Sequence, residues 1–476
     1  MKKLLYLFLL PFAAALGACN NDDGEKVGLP DITVSFVSSQ TSFENGEQSE
    51  EITLSLSRIS DLDITATIEF EGTGVEYATH FTTAPAPIEG KISVTIPAGG
   101  SSASFTVTKA EGIILEGDET VEFTISSLSV TEKVTIGDKA STILEFGAIV
   151  STGQAMILEG NGTENNINSV YVDLSTNRQT SVDRKSWNIG FWCGEEFRVV
   201  LNSAYMTAAV ASGKTNIDEV DLALASAVED SHNINTNPMM GVVSQEILDA
   251  ADGSLTGTVF AEVSATENDN EVYFVASEDD KDASRENWYK VRVNRKGEGY
   301  SVQFARVGDD TYTTVDIPKN GEYNLVLFSL ADGEILETET EPRKGRWDIR
   351  WSYDTGTSVS QSKSLFLQDY VAINNYDGVQ SATVMTADIA YDDFAAADIA
   401  ALTFNGDRDA IGETWRNTMP PGMGGGSGEP QGVRSDRYYV IKDASEIYYK
   451  LRFTKMGFND DGTERGRPGI EYRIVE

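Results

Sequence analysis

Two short tryptophan-centred stretches constrain the fold of this chain more than any other feature. The first is residues 186–192, SWNIGFW, and the second is residues 346–353, RWDIRWSY. In both stretches apolar and polar side chains alternate, a pattern typical of a β-strand with one buried face. Each stretch also follows an apolar run and a polar, turn-like segment. The sequence therefore predicts the same local arrangement of strands at two places in the chain.

A second pair of landmarks repeats at the same distance. Trp187 and Trp347 are separated by 160 residues, and so are Lys290 and Lys450, which lie in the similar stretches WYKVRV and YYKLRF. Two landmark pairs that share one offset and one order indicate an internal duplication. We therefore expect the two members of each pair to lie on equivalent strands.

The first 19 residues have the features of a targeting segment. Lys2 and Lys3 precede an apolar run over residues 4–16, and small residues then lead to Cys19. The run is too short to span a bilayer and is typical of a secretory signal. The arrangement resembles a bacterial lipoprotein signal, which implies that Cys19 is acylated and that the lipid holds the protein to a bilayer. A secretory signal with an incidental cysteine is the alternative.

A polar tether follows over residues 20–30, and it begins NNDDGE. An acidic patch directly after the lipid cysteine resembles the export signal of surface lipoproteins in Bacteroidetes. The resemblance implies an outer-membrane protein, anchored by lipid, that faces the cell exterior. Contact with the membrane is then expected through the anchor alone.

The charge of the chain excludes one class of partner. The formal net charge is −38, from 37 basic and 75 acidic residues. Such a chain is repelled by a phosphate backbone and by an anionic membrane surface, so nucleic-acid binding is not expected. Beyond Cys19 the sequence contains one further cysteine, Cys193, so the mature chain cannot form an internal disulfide.

Residues 31–148 predict an N-terminal β-sandwich. Six alternating segments are separated by Gly, Pro and Asn-Gly turns, as in two-sheet all-β domains. The order of residues 76–81 (EYATHF), 96–100 (IPAGG) and 115–123 (LEGDETVEF) resembles a Calx-β domain. The resemblance covers most of this segment and implies the same fold.

The Calx-β resemblance also raises the question of calcium. Such domains bind Ca²⁺ through acidic loop residues, and Glu44, Asp118 and Glu119 offer oxygen ligands of the type that Ca²⁺ requires. His80, however, stands where the family usually has an aspartate. The alternative is that these acidic residues cap loops in a structural spacer.

The stretches around both tryptophan motifs resemble the HmuY family of haem-binding lipoproteins. The resemblance defines two modules, at residues 165–317 and 321–476. The segments that carry it are 171–174, 187–191, 198–202, 212–220, 271–275 and 289–293 in the first module, and 347–351, 437–441, 449–453 and 470–474 in the second. It implies a mainly β fold with short helices in the connections, for which residues 216–232 and 386–402 have suitable apolar spacing.

Catalytic groups are scarce. The chain has two histidines, His80 and His232, and the predicted domains separate them. One histidine per domain does not provide a Ser-His-Asp or Cys-His set, and there is no cluster of zinc-binding type. The glycines of residues 422–428 lie between prolines and predict a flexible loop rather than a nucleotide site. We therefore expect no enzymatic activity.

A haem site needs an apolar slot and one or two axial ligands, for which Met sulfur and His nitrogen both serve. One polar loop gathers His232, Met239 and Met240, and a Pro/Gly loop holds Met419 and Met423. The HmuY resemblance places the second loop where the family carries its second ligand and the first loop near its first-ligand region. Neither module has a complete ligand pair, so ordinary loop methionines are the alternative.

These features predict a cell-surface lipoprotein that takes up haem, free or from a haem-carrying protein, and passes it to an outer-membrane uptake system. The alternative is a non-enzymatic surface interaction or glycan-binding lipoprotein that uses the same scaffold without haem. Because each module offers half of a ligand pair, the sequence leaves both functions open.

Overall fold

The chain divides into two compact units, Met1–Ile149 and Val150–Glu476. A computed structural model describes the chain from residue 31 onward, with internal gaps. The described residues are 31–43, 47–160, 168–229, 232–235, 245–281, 284–336, 340–358, 363–418, 431–457 and 461–476. No helix in these ranges is long and apolar enough to cross a membrane.

The first unit consists of two five-stranded sheets, in the orders β5-β7-β3-β1-β9 and β2-β10-β8-β4-β6. Its strands are β1 Ile32–Phe36, β2 Gln40–Ser42, β3 Ser49–Leu56, β4 Ile64–Thr73, β5 Phe81–Ala84, β6 Lys91–Ile96, β7 Ser102–Lys109, β8 Thr120–Leu128, β9 Val134–Ile136 and β10 Ser141–Glu145. Both sheets contribute alternate side chains to one core, as Ile64, Ala66 and Ile68 of β4 do. The predicted N-terminal β-sandwich is confirmed.

The second unit is also mainly β. Its first half contains β11 Ala155–Ile157, β12 Asn168–Asp173, β13 Arg178–Asp183, β14 Ile189–Trp192, β15 Val199–Leu201, β16 Ala208–Ala211, the short helix α1 Leu222–Ser226, β17 Val272–Ala276, β18 Tyr289–Lys296, β19 Gly299–Arg306 and β20 Thr313–Ile317. The second half contains β21 Leu325–Ser329, β22 Glu334–Ile335, β23 Ile349–Ser358, β24 Lys363–Ile373, β25 Gln380–Met385, β26 Arg416–Asn417, β27 Gly432–Val433, β28 Arg437–Lys442, β29 Tyr448–Lys455 and β30 Gly469–Ile474.

Short 3₁₀ turns occupy several connections, as the mainly β class with short helices predicts. Their bounds are Ser203–Tyr205, Ile217–Glu219, Gln245–Ile247, Leu255–Gly257, Glu267–Asp269, Glu278–Asp280, Asn375–Asp377 and Ala396–Ala401. In their described residues, the insertion 216–232 contains the turn Ile217–Glu219 and α1, and the insertion 386–402 contains the 3₁₀ segment Ala396–Ala401. Short helices of this kind depend on packing against the sheets, since isolated turns are unstable.

The sheets of the second unit come in matching pairs. Two five-stranded sheets have the orders β16-β17-β18-β19-β20 and β25-β28-β29-β30-β11, and two four-stranded sheets have the orders β13-β12-β23-β24 and β22-β21-β14-β15. In each pair, strands at the same place in the order are counterparts from opposite halves, except at one edge of the five-stranded sheets, where β20 and β11 both come from the first half. The small sheet β26-β27 lies outside this correspondence.

The two halves of the second unit pair strands with each other, a point that the predicted modules at 165–317 and 321–476 leave open. Strand β12 pairs with β23 through the register Val170↔Trp351, and β14 pairs with β21 through Gly190↔Leu327. Each four-stranded sheet thus contains one hairpin from each half. A hairpin alone leaves an unpaired edge and is marginally stable, so pairing with the other half satisfies the backbone.

At the two tryptophan motifs, equivalent hydrogen bonds join one half of the second unit to the other. The Asn188 side-chain oxygen accepts the Leu330 backbone N–H at 2.7 Å. At the corresponding place the Asp348 carboxylate accepts the Leu174 backbone N–H at 2.8 Å. Both acceptors are buried and each bond joins one half to the other, so loss of either side chain leaves a buried N–H unpaired.

The tryptophan backbones are held in the same way. The Asn202 side-chain amide donates to the Trp187 carbonyl at 2.8 Å, and the Asn374 amide donates to the Trp347 carbonyl at 3.1 Å. Both asparagines are almost fully buried, and each also caps a 3₁₀ turn. Trp187 and Trp347 therefore occupy corresponding positions before β14 and β23.

The two lysines also lie at corresponding positions. Lys290 on β18 donates to the carbonyls of Val220 and Asp309, and Lys450 on β29 donates to the Phe394 carbonyl at 2.9 Å. Both lysines are buried. Each amino group thereby ties a connecting segment to the face of its sheet.

The difference between Asn188 and Asp348 generates a test. Burial, with the nearby Asp173 carboxylate, raises the pKa of Asp348 well above its usual value. Because the folded state disfavours the ionised form, Asp348 lowers stability increasingly as the pH rises above its unfolded pKa of 3.8. Asp348→Asn retains the acceptor, as Asn188 does, so it should raise the free energy of unfolding at pH 8 and change it little at pH 4.

Tryptophan fluorescence during urea unfolding is the appropriate measurement, because all six tryptophans lie in the second unit. The reciprocal variant Asn188→Asp should lose stability at pH 8, since it buries a new charge. The account is contradicted if Asp348→Asn destabilises the protein equally at both pH values.

Candidate functional site

Of the predicted axial ligands, His232 lies within the described residues. It stands in the connection between β16 and β17, next to the short helix α1. The other predicted ligands and the predicted lipid site lie outside the described residues: Met239, Met240, Met419, Met423 and Cys19.

His232 uses its Nε2 atom to hydrogen-bond the Glu246 carboxylate. The His232 side chain is 34% exposed and the Glu246 side chain is 71% exposed. An exposed pair of this kind is worth little net free energy, so the carboxylate can turn into solvent at low cost. The nitrogen that is suited to metal ligation is therefore occupied, but by a group that is easily displaced.

A groove of about 520 Å³ opens beside His232. The apolar wall comes from Val210 on β16, Phe274 on β17 and Leu224 on α1, while His232 and Glu246 lie at its polar side. Strand alternation places Val210 and Phe274 opposite each other in the β16–β17 register. The arrangement can accept a flat, mostly apolar ligand with a metal-binding or hydrogen-bonding centre.

The turn that carries His232 is anchored to the sheet. Ile234 is 1% exposed, and the Asn235 side chain accepts the indole N–H of Trp288 at 2.6 Å. Trp288 is itself fully buried. Two residues close to His232 are thus fixed by a buried apolar contact and by a buried hydrogen bond, which gives the imidazole a defined position.

Helix α1, which forms one side of the groove, is positioned by local caps. Asp221 accepts the Leu224 backbone N–H at 2.9 Å at its beginning. At its end, Arg285 donates to the carbonyls of Ala225 and Val228. A helix of five residues needs such support, because its own hydrogen bonds are too few to hold it.

The segment that precedes Met419 is held on strand β24. The indole N–H of Trp415 donates to the Asp369 carbonyl at 2.9 Å, and Arg416 Nε donates to the same carbonyl at 3.2 Å. Asp369 is buried and its carboxylate pairs with Arg465. The chain therefore leaves β26 at the outer edge of the β23–β24 hairpin.

The His232 connection packs on the same hairpin. Tyr353 of β23 and Phe366 of β24 are buried in one apolar cluster with Ile234 and Trp288. The connections β16–β17 and β25–β28, which contain the two candidate ligand loops, are counterparts in the repeat. The β16–β17 connection is thus anchored on the apolar face of the β23–β24 hairpin, and the β25–β28 connection is anchored on the edge of that hairpin.

Sequence reasoning missed the residues that shape this site. Glu246, Phe274 and Leu224 were not singled out, although Glu246 lies 14 residues from its partner His232. No sequence pattern links an isolated carboxylate to a histidine at this distance. The continuous apolar runs of β16 and β17 are the available signal for Val210 and Phe274.

Of the three acidic residues that the Calx-β resemblance brings forward for Ca²⁺, Glu119 has a structural role. The Glu119 carboxylate accepts the backbone N–H groups of Glu116 and Gly117, at 2.9 and 2.7 Å, and its side chain is buried. His80 Nδ1 accepts the Glu76 backbone N–H at 2.9 Å. Glu44 lies outside the described residues. Among the residues that are described, no group of three His, Cys, Asp or Glu side chains could hold a metal ion.

Cys193 is half-buried in the second unit. Its sulfur accepts the Asn320 backbone N–H at 3.4 Å, and burial raises the pKa of the thiol. The neutral thiol therefore predominates at neutral pH, which does not suit a nucleophile.

The chain has distant likenesses among solved structures. Among solved structures, the apo-form Calx CBD1 domain is 13% identical at a TM-score of 0.21, and the match covers 24% of this chain and 96% of that domain. A putative carbohydrate-binding protein from Bacteroides ovatus is 10% identical at a TM-score of 0.22, with 59% and 72% covered. Likenesses at TM-scores this low carry no inference about function. No curated protein matches the chain.

The family comparison is more informative. The model of the HmuY protein family matches residues 165–472, which is more than half of the chain. The match runs through both halves of the repeat and through every cross-half strand pair described above. The resemblance that the tryptophan motifs indicate is confirmed, and the chain belongs to the HmuY family.

Proposed function

We propose that this protein binds haem at the cell surface and passes it to an outer-membrane uptake system. The observation that carries the proposal is the position of His232, on an anchored turn beside the apolar wall of a 520 Å³ groove. Membership of the HmuY family supports the same function. The haem reaches the site free or from a haem-carrying protein.

The chemistry of the groove suits haem. Haem is a large apolar plate, and burial of its faces contributes about 25 cal/mol per Å² of apolar surface. Val210, Leu224 and Phe274 offer apolar contact, and His232 offers a nitrogen ligand for iron. Met419, or Met423 in its place, is the candidate for a second axial ligand, with Met239 and Met240 as further candidates.

The Glu246 carboxylate competes with iron for His232. Iron needs the lone pair of a neutral imidazole nitrogen, whereas Glu246 favours a proton on that nitrogen. Binding therefore requires that Glu246 release His232. The pair makes the groove more selective, because ligands without a metal centre gain nothing from displacing the carboxylate.

Haemin titration of the full chain tests the proposal. Wild-type protein should shift the Soret band, and the band should sharpen on reduction with dithionite. His232→Ala, and the double variant Met419→Ala with Met423→Ala, should each weaken binding by at least about tenfold, the effect of 1.4 kcal/mol. His80→Ala, which lies in the first unit, is the control and should bind as the wild type does.

No spectral change in the wild type in either redox state would refute haem binding. The non-enzymatic surface-interaction or glycan-binding alternative would then stand.

The competition by Glu246 gives a second test. Glu246→Ala removes the carboxylate that competes with iron for His232 Nε2, so it should strengthen haemin binding severalfold. Glu229→Ala is a matched control, because Glu229 lines the same groove without an ion pair to His232 and should leave affinity unchanged. Weaker binding in the Glu246 variant would show that the carboxylate supports the ligand instead of competing with it.

Surface location depends on the lipid anchor. Acyl chains on Cys19 add roughly 0.8 kcal/mol for each buried methylene, which holds the protein to the outer membrane. A fatty-acid analogue should label the wild type and not Cys19→Ala, and the variant should leave the membrane fraction. Equal membrane retention of both proteins would contradict the anchor.

A further inference from the structure

A second cavity, of about 320 Å³, lies along strand β21 and shares no lining residue with the His232 groove. Leu325 and Leu327 form its apolar floor, and Ile335 and Leu336 form a wall. These side chains leave the cavity mainly apolar. Of the charged side chains that the structure describes, Glu341 also lines it.

The cavity lies beside a short pair of strands. In the first half, β13 pairs with β12 through six residue pairs. Among the described residues, its counterpart β22 pairs with β21 at Phe328↔Ile335 and Ser329↔Glu334. Leu325 and Leu327, at the other end of β21, line the cavity.

Glu341 is an unusual residue for such a place. Its side chain is 9% exposed, and within the described part of the chain no cation lies at ion-pair distance from its carboxylate. Burial, together with Asp377, raises its pKa to about 7, although Arg350 opposes the shift. A buried carboxylate without its own cation is costly in the ionised form.

Arg350 relieves this cost only in part. Arg350 and Arg408 both pair with Asp354, and the Arg408–Asp354 distance is 3.4 Å. Burial also raises the pKa of Asp249, near Arg408, to about 6. Carboxylates therefore outnumber guanidinium groups in this cluster, and an added positive charge next to Glu341 would be stabilised.

We propose that the β21 cavity binds a small amphipathic cation, with its ammonium group at Glu341 and its apolar body over Leu325 and Leu327. The carboxylate supplies charge recognition in a partly desolvated site, where ion pairs are stronger than in bulk water. The leucine floor favours an alkyl or aryl body over a sugar. This inference does not rest on haem binding, and either can fail without the other.

Calorimetric titration of the full chain with hexylammonium tests the inference, with 1-hexanol as the uncharged analogue. At pH 7 one molecule should bind per chain, and hexanol should bind at least about tenfold more weakly. Because binding favours the ionised carboxylate, protons should be released, and the measured enthalpy should depend on the ionisation enthalpy of the buffer. Glu341→Gln should abolish both the preference for the amine and the proton release.

Glu334→Gln is the matched control, because Glu334 lies on β22 beside the cavity but does not line it. It should bind hexylammonium as the wild type does. Equal affinity of the wild type for the amine and the alcohol, or absence of binding, would overturn the inference. Proton release is measured on the wild type, so the test holds even if Glu341→Gln folds poorly.

Discussion

The pairing of strands across the two halves is the interaction on which the second unit depends. In each four-stranded sheet the central pair, β12–β23 or β14–β21, joins one half to the other. The bonds from Asn188 to Leu330 and from Asp348 to Leu174 fix the registers of these pairs. Since a β-strand that slips by one residue reverses its faces, these bonds also decide which side chains are buried.

The differences between the halves locate the candidate sites. In the first half, the connection after β16 folds over Tyr353 and Phe366 of the other half and presents His232 beside a groove. In the second half, Glu341 lines a cavity along β21. The two copies of the scaffold form equivalent backbone hydrogen bonds. The candidate sites lie where the copies differ.

The fold was largely predictable from the tryptophan motifs. Alternation identified the strands, and the shared offset of Trp187 with Trp347 and of Lys290 with Lys450 identified the counterparts. The pairing of strands across the two halves was not predictable. Alternation shows which face of a strand is buried and carries no information on which strand lies beside it.

The candidate site was predictable only in part. His232 stood out because it is the one histidine of its unit, whereas Glu246 is one of 75 acidic residues and has no distinguishing pattern. Glu341 is special only through burial beside Arg350, which depends on the packed structure. Such residues acquire their chemistry from neighbours that are distant in sequence.

Magnetic circular dichroism of the ferric haem complex reports directly on whether His232 binds the iron, because the energy of the near-infrared charge-transfer band identifies the axial ligand pair. We expect a His–Met signature in the wild type that is lost in His232→Ala, since His232 is the histidine that the groove offers to iron. A wild-type spectrum without histidine ligation, or one that His232→Ala leaves unchanged, would contradict it.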